Sequence, residues 1–324
     1  MNKMMYDQEM LSALKNADNF MLCAHINPDG DAVGSMLALG RLLRGMGKKA
    51  AMVCPNGVPA RFAWLPDADR ILSWEQAQHC RFDAAFSVDV PEPHRMGNVY
   101  ALYEQAAVTF AVDHHPGKAD FARFHLVDDG ASASAELIVA LYEALDVPLD
   151  QAAALQLYAG ISTDTGNFVF SSVRPYTFYC MQKLMEAGLD LSEAARRLFL
   201  IKTRPQTAAL GRALQSMRYF ADGRATCMHL SAQDKAECHT RDDDLHGMVN
   251  YGLNLEGVAM TFMADECESG WKISLRALPG GDVASIARRF GGGGHVLAAG
   301  CEMKGSYQEI ETRLMAAVEE ALKA

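Results

Sequence analysis

The 324-residue chain has no long apolar run, no closely paired cysteines and no excess of positive charge. None of its apolar stretches reaches the roughly 20 residues that a membrane-spanning helix needs. Its first ten residues include Asp7 and Glu9 and hold no apolar core, so no secretory signal is expected there. The eight cysteines, at 23, 54, 80, 180, 227, 238, 267 and 301, are scattered. No two form a C-x-x-C pair, which argues against a zinc ribbon or a disulfide framework and for a reducing cytoplasm. Thirty Lys and Arg face forty Asp and Glu, for a formal net charge of −10. Proteins that track long duplex nucleic acid carry a basic face, so that class is disfavoured. A short phosphorylated ligand held by a few local arginines remains open.

What is present is a half-apolar chain long enough for two domains with sizeable cores. Apolar runs at 21–26, 49–54, 82–90 and 108–114 read as buried strands. Segments 31–46, 134–145, 150–161 and 174–186 carry apolar residues at helical spacing. Strands alternating with helices predict an α/β fold, an open and mostly parallel sheet with helices on both faces, over residues 1–190. Residues 191–215 stay helical but turn basic, with Arg196, Arg197, Lys202, Arg204 and Arg212, and read as a connector. Residues 216–324 read as a smaller α/β domain. It should hold a hairpin around Asp222-Gly223, strands at 257–264 and 271–278, and helices at 283–290 and 306–324.

The chemistry gathers at the ends of the early strands. His25-Ile26-Asn27-Pro28-Asp29-Gly30-Asp31 follows the first apolar run, and Asp89 closes the third. Asp113-His114-His115 closes the fourth, and Asp164 lies in Ser162-Thr163-Asp164-Thr165-Gly166. Taken singly, several of these have bland readings. Asn27-Pro28-Asp29-Gly30 is turn chemistry, Asp31 fits a helix cap, and Asp164 fits a turn. Adjacent imidazoles beside a carboxylate have little packing value, and groups at strand ends converge at the carboxyl edge of an α/β sheet. Together the segments predict a centre for two divalent ions. Two ions about 3.5–4 Å apart can clamp the attacking and leaving oxygens of a phosphoryl displacement. Oxygen and imidazole donors without thiolate favour Mn²⁺, with Mg²⁺ or Co²⁺ as substitutes, over structural zinc.

Other segments are read as structural. Asp128-Asp129-Gly130 fits helix capping, and Asp242-Asp243-Asp244 fits a solvated helix start. His79, His94, His125, His229, His239 and His246 lack the surrounding pattern and fit surface or packing roles. Met4, Met5, Met181 and Met185 fit core or edge filling. Gly291-Gly292-Gly293-Gly294-His295 follows a helix, unlike the dinucleotide fingerprint, which opens one. Its glycines would let a backbone approach a phosphate and sugar, with Arg276 beside it.

These motifs resemble the DHH phosphoesterase superfamily, named for the run at Asp113-His114-His115. The Ser274-Leu275-Arg276 and Gly291–Gly300 stretches resemble its DHHA1 domain, so the likeness spans nearly the whole chain. It is most similar to the subgroup that degrades very short RNA and dephosphorylates 3′-phosphoadenosine 5′-phosphate (pAp). The resemblance implies His25, Asp29 and Asp89 around one ion, and Asp31, Asp89, His114 and Asp164 around the other. It implies His115 at the scissile phosphate, Asp113 orienting the pair, and Arg276, Gly292, Gly293, Gly294 and His295 on the substrate's far end. Val296 departs from relatives that carry Pro there. The implied products are nucleoside 5′-monophosphates, and the implied partners are short RNA, dinucleotides and pAp, with no membrane or long duplex. A homodimer is compatible with it. Within the fold, a phosphodiesterase for linear or cyclic dinucleotides is the rival; outside it, a non-catalytic nucleotide sensor.

Overall fold

The computed structural model describes residues 7–117 and 119–323, so Met4 and Met5 lie outside it. The chain divides into two compact units, Met1–Ile201 and Lys202–Ala324. The division falls inside the basic segment expected to act as a connector. Leu191–Ala195 and a π-helical turn at Arg196–Leu200 belong to the first unit, and the helix Arg204–Gln215 belongs to the second.

The first unit is built on six strands: β1 (Asn19–Cys23), β2 (Lys49–Val53), β3 (Ile71–Leu72), β4 (Ala84–Val88), β5 (Val108–Asp113) and β6 (Phe124–Val127). Their order is β3-β2-β1-β4-β5-β6, and every pairing is parallel. β3 and β6 escape sequence reading because one is two residues long and the other carries exposed His125 in its middle. From β1 the chain first extends the sheet one way, to β2 and β3, and then the other, through β4 to β6. The order therefore reverses between β1 and β4, and a ligand crevice opens at the carboxyl ends of strands at such a reversal.

Alternation along the strands fills both faces. Phe20, Phe86 and Phe110 pack beneath the long helices Gly30–Gly45, Ser134–Ala144 and Gln151–Asp164. Met21, Cys23 and Ala85 pack on the opposite face with Val99, Leu102 and Tyr103. Phe86 and Phe110 are register partners with ring centroids 4.5 Å apart. Truncating such a buried ring costs roughly 3–5 kcal/mol.

Three glycines set how closely two of these helices approach. A Cβ on Gly34 would collide with the carbonyl of Gln156, and one on Gly30 would collide with the Thr163 side chain. A Cβ on Gly160 would stand 2.7 Å from Asp31 Oδ1 and 2.8 Å from Ala135 Cβ. The helices Gly30–Gly45 and Gln151–Asp164 thus meet backbone to backbone, which brings Asp31 and Asp164 to one place.

The second unit holds β7 (Arg218–Phe220), β8 (Ala225–Leu230), β9 (Met260–Cys267), β10 (Gly270–Ala277), β11 (Gly293–His295) and β12 (Ala298–Met303). The order is β11-β12-β10-β9-β8-β7, antiparallel except for the parallel β8–β9 pair. The helices Val283–Arg289 and Tyr307–Ala321 cover one face of its core. Of the histidines read as structural, His229 is half-buried and stacks on Tyr307 at 4.0 Å, and the other five are exposed. Met181 is buried and Met185 exposed. Asp128 and Asp129 do not cap a helix, because Ala133 stands at the cap of Ser134–Ala144. Asp128 instead accepts from Gly130 N at 3.0 Å and pairs with Arg174 at 2.9 Å.

Candidate metal centre

Each group predicted for the centre sits at the carboxyl edge of the first sheet or at a helix end beside it. His25 lies two residues beyond β1 and is 7% exposed. Its Nδ1 is 2.8 Å from the carbonyl of Ile26. A carbonyl only accepts, so Nδ1 holds the proton and the neutral ring keeps its lone pair on Nε2. That Nε2 faces Asp29 at 3.9 Å and Asp89 Oδ2 at 3.7 Å. Asp29, rather than Asp31, caps the helix Gly30–Gly45, its Oδ1 accepting from the amides of Asp31 and Ala32 at 3.1 and 3.0 Å. Asp29 keeps its other oxygen toward His25.

Asp31 is fully buried at the N-terminus of another helix. It accepts from the amides of Ser134 (2.6 Å) and Ala135 (2.9 Å) and from the Ser35 hydroxyl (3.0 Å). Helix N-termini favour negative charge, which offsets part of the cost of burying it. Asp89 follows β4 with φ at +59°, a left-handed conformation that costs a non-glycine residue roughly 1–3 kcal/mol. The turn aims its carboxylate two ways. Oδ2 faces His25, and Oδ1 lies 3.5 Å from His114 Nε2 and accepts from the Ser134 hydroxyl at 3.0 Å.

His114 repeats the pattern of His25. Its Nδ1 is 3.3 Å from the Ala131 carbonyl, and its Nε2 faces Asp164 at 3.0 Å and Asp31 at 3.9 Å. Asp164 is the last residue of the helix Gln151–Asp164 rather than part of the turn after it. Two donor groups result: His25, Asp29 and Asp89, and Asp31, His114 and Asp164. Asp89 presents one oxygen to each. His115 can join Asp89 and His114 in a third grouping, but its Nδ1 is held by Asp113 at 2.8 Å. Asp113 Oδ1 also accepts the amides of His114 (2.9 Å) and His115 (3.2 Å), fixing both rings.

Without a cation these carboxylates repel one another. Burial, then the charges of Asp89 and Asp164, push Asp29 up to about 6. The same causes hold Asp31 well above the usual carboxylate range. Burial also acts against a charged Asp89, but the facing His25, His114 and His115 hold it below its ordinary value. Burial disfavours the imidazolium of His114, yet Asp164, Asp31 and Asp89 together lift it to about 10. Buried and half-buried carboxylates crowded with imidazoles whose Nε2 atoms point inward are the donor set of hard or borderline divalent cations. The residues fit such a group.

In the second unit, Arg276 lies on β10 with its Nη1 donating to the Leu275 carbonyl at 2.8 Å. Burial lowers its pKa, and among the described residues no carboxylate pairs with it. The glycine run is not wholly a loop. Gly293, Gly294 and His295 form β11, paired with Gly300, Ala299 and Ala298. A Cβ on Gly292 would strike the Gly300 carbonyl, and Gly294 has φ at +139°, so the hairpin needs both glycines.

Sequence reading missed the groups that hold the ligands. Ala131, Ser134 and Ala135 touch His114, Asp89 and Asp31, and Glu136 and Arg174 stand behind them. The available signals were faint: a serine ahead of an apolar helix, and the spacing of Gly30, Gly34 and Gly160.

A parallel sheet whose carboxyl edge gathers this donor set is the scaffold of a phosphoesterase. The chain belongs to the DHH family: residues 19–161 match the DHH family, N-terminal domain, and residues 234–324 match the DHHA1 domain. It is 30% identical, over 99% of its length and 94% of the relative's, to the bifunctional oligoribonuclease and PAP phosphatase NrnA of Thermus thermophilus. Its fold matches an exopolyphosphatase-related protein from Bacteroides fragilis with a TM-score of 0.92 at 24% identity, covering 98% of this chain and 97% of that one. A more distant fold match is exonuclease RecJ bound to manganese, with a TM-score of 0.53 at 16% identity, covering 98% and 96%.

Proposed function

We propose that the centre takes two divalent cations, Mn²⁺ by preference, and that the protein hydrolyses very short RNA to nucleoside 5′-monophosphates and pAp to AMP. The observation that carries the metal reading is Asp89, with one carboxylate oxygen toward His25 and the other toward His114. His25, Asp29 and Asp89 hold one cation, and Asp31, Asp89, His114 and Asp164 hold the other. When bound, such a pair acidifies a water and stabilises charge on the attacking and leaving oxygens. The protein's own groups do the rest. Asp113 fixes the rotamer of His115 and keeps a proton on its Nδ1. Burial disfavours the His115 imidazolium, but Asp113 and Asp89 outweigh it and raise the pKa. A protonated His115 suits a hydrogen bond to the phosphate undergoing attack.

The substrate reading is supported by the name and full-length match of the Thermus relative and by the net charge of −10, which suits short ligands over long duplexes. The half-buried guanidinium of Arg276, which has no carboxylate partner among the described residues, and the open space beside Gly293 suit a phosphate and sugar away from the scissile bond. Eight unpaired cysteines fit a reducing compartment such as the cytoplasm.

The test is Mn²⁺-dependent turnover of a diribonucleotide, of pAp and of long and hairpin RNA. Both small substrates should be hydrolysed, the rate should fall steeply with length, and hairpins should resist. Asp89→Ala should reduce both activities to background, because it leaves the cations facing each other without a shared carboxylate. Near-normal turnover by this variant would sink the two-cation reading.

A further inference from the structure

Three proposed ligands lean on one short segment. The Ala131 carbonyl accepts from His114, the Ser134 and Ala135 amides donate to Asp31, and the Ser134 hydroxyl donates to Asp89. This segment lies between β6 and the first turn of the helix Ser134–Ala144, so it needs an anchor of its own. Glu136 provides one. Its side chain is fully buried, and its carboxylate accepts from the Ser132 hydroxyl at 2.6 Å and the Thr177 hydroxyl at 2.5 Å. It also accepts from Arg174 Nε at 3.0 Å and pairs with Arg174 Nη2 at 2.8 Å. The same guanidinium reaches Asp128 at 2.9 Å. Asp128 in turn closes the start of the segment, its Oδ1 accepting from Gly130 N and its carbonyl from Ala131 N, at 3.0 and 2.9 Å.

We infer that Arg174 is a positioning residue of the metal centre: it clamps both ends of segment 128–136 and thereby sets the hydrogen bonds that aim Asp31, Asp89 and His114. Its hydrogen bonds and ion pairs among the described residues go to Glu136, Asp128 and Thr177 rather than to the ligands themselves. The planar fork is needed because one group must satisfy a buried carboxylate and a second one beside it; an ammonium is a point charge and cannot span both. Removing the cation leaves Glu136 buried and uncompensated, which the segment relieves by moving. Groups that orient metal ligands typically contribute a factor of about 10–100 in metal affinity.

The inference rests on the ligand assignment proposed above. Its test is the affinity of the full chain for Mn²⁺ alone, by titration calorimetry, together with the Mn²⁺ electron paramagnetic resonance spectrum. Arg174→Met should weaken Mn²⁺ binding about 10–100-fold and alter the spectrum of the bound ions. Arg174→Lys should recover it only in part. The double variant Arg174→Met/Glu136→Gln removes the charge on both sides and stays folded if the single variant does not; it should show the same weakening. Folded variants that bind Mn²⁺ within about threefold of wild type, whatever their melting temperature, would overturn the inference. Asp89→Ala separates the two readings: unchanged Mn²⁺ binding there would mean that the ligand assignment has failed, not the clamp.

Discussion

At the residue scale, the two adjacent histidines differ by which nitrogen is held. His114 gives Nδ1 to a backbone carbonyl and turns Nε2 into the ring of carboxylates. His115 gives Nδ1 to Asp113, which commits that nitrogen to an acceptor inside the protein. In the proposed reading, a ring arranged like His114 serves as a ligand and one arranged like His115 as a donor. His114→Ala should therefore lose one bound cation per chain, whereas His115→Ala should keep both and lose about 10²–10³ in kcat, the usual cost of one transition-state donor. Elemental analysis beside single-substrate kinetics distinguishes them. Equal cation loss in both variants would contradict the assignment. The gathering of these side chains was legible from sequence because the motifs close successive strands, whose carboxyl ends converge. Their orientation was not, because it depends on carbonyls from Ile26 and Ala131 that carry no side-chain signal.

At the element scale, the long helices and the central strands were legible from apolar periodicity, and their ends shifted by a few residues. Capping explains one shift. Asp29 and Asp31 both suit an N-cap, and only the tertiary setting, with the amides of Ser134 and Ala135 waiting for Asp31, decides between them. The tight crossing of Gly30–Gly45 on Gln151–Asp164 was less visible, since glycine inside a helical pattern usually signals weakness. Here it signals contact. Gly160→Ala should press on Asp31 Oδ1 and Ala135, destabilise the protein by about 1–3 kcal/mol and weaken Mn²⁺ binding. Gly211→Ala is the opposite case: that glycine lies in the helix Arg204–Gln215 with open space around it, and alanine should stabilise by roughly 0.4–1 kcal/mol. Thermal melts of both variants, with Mn²⁺ titration of the first, check the contrast. Similar melting shifts for the two would mean that the crossing has slack.

At the scale of the whole molecule, cation binding and folding are linked. Asp29 and Asp31 have folded-state values above the ordinary carboxylate range, so in the metal-free protein they favour folding when protonated. That contribution is fully present below the ordinary carboxylate value of about 4 and is lost as pH rises through the folded values, about 6 for Asp29. His25 and His114 act in the same direction, since their values are raised as well. The chelated protein should therefore melt at lower temperature near neutral pH than near pH 5, roughly one unit above the ordinary carboxylate value. Saturating Mn²⁺ should remove the difference, and Asp31→Asn should flatten it without metal. A chelated melting temperature that rises over this interval would oppose the argument. The second unit permits a separation that the first does not. Arg276 is a half-buried cation with no carboxylate partner among the described residues, while every proposed cation ligand lies in the first unit. If Arg276 holds a substrate phosphate as proposed, replacing it should remove roughly 1.5–3 kcal/mol of charge-assisted bonding, or about ten- to a hundredfold. Arg276→Ala should then bind Mn²⁺ as wild type and lose that factor in kcat/KM on dinucleotides. If the contact is equal in ground and transition states the loss falls in KM; if it also aligns the scissile phosphate, kcat falls with it. A small activated diester, bis-p-nitrophenyl phosphate, offers no second nucleotide to hold and should be hydrolysed nearly as fast as by wild type. Equal loss on both substrates would assign Arg276 to the fold of β10 instead, and no loss on either would place the substrate's far end on other residues.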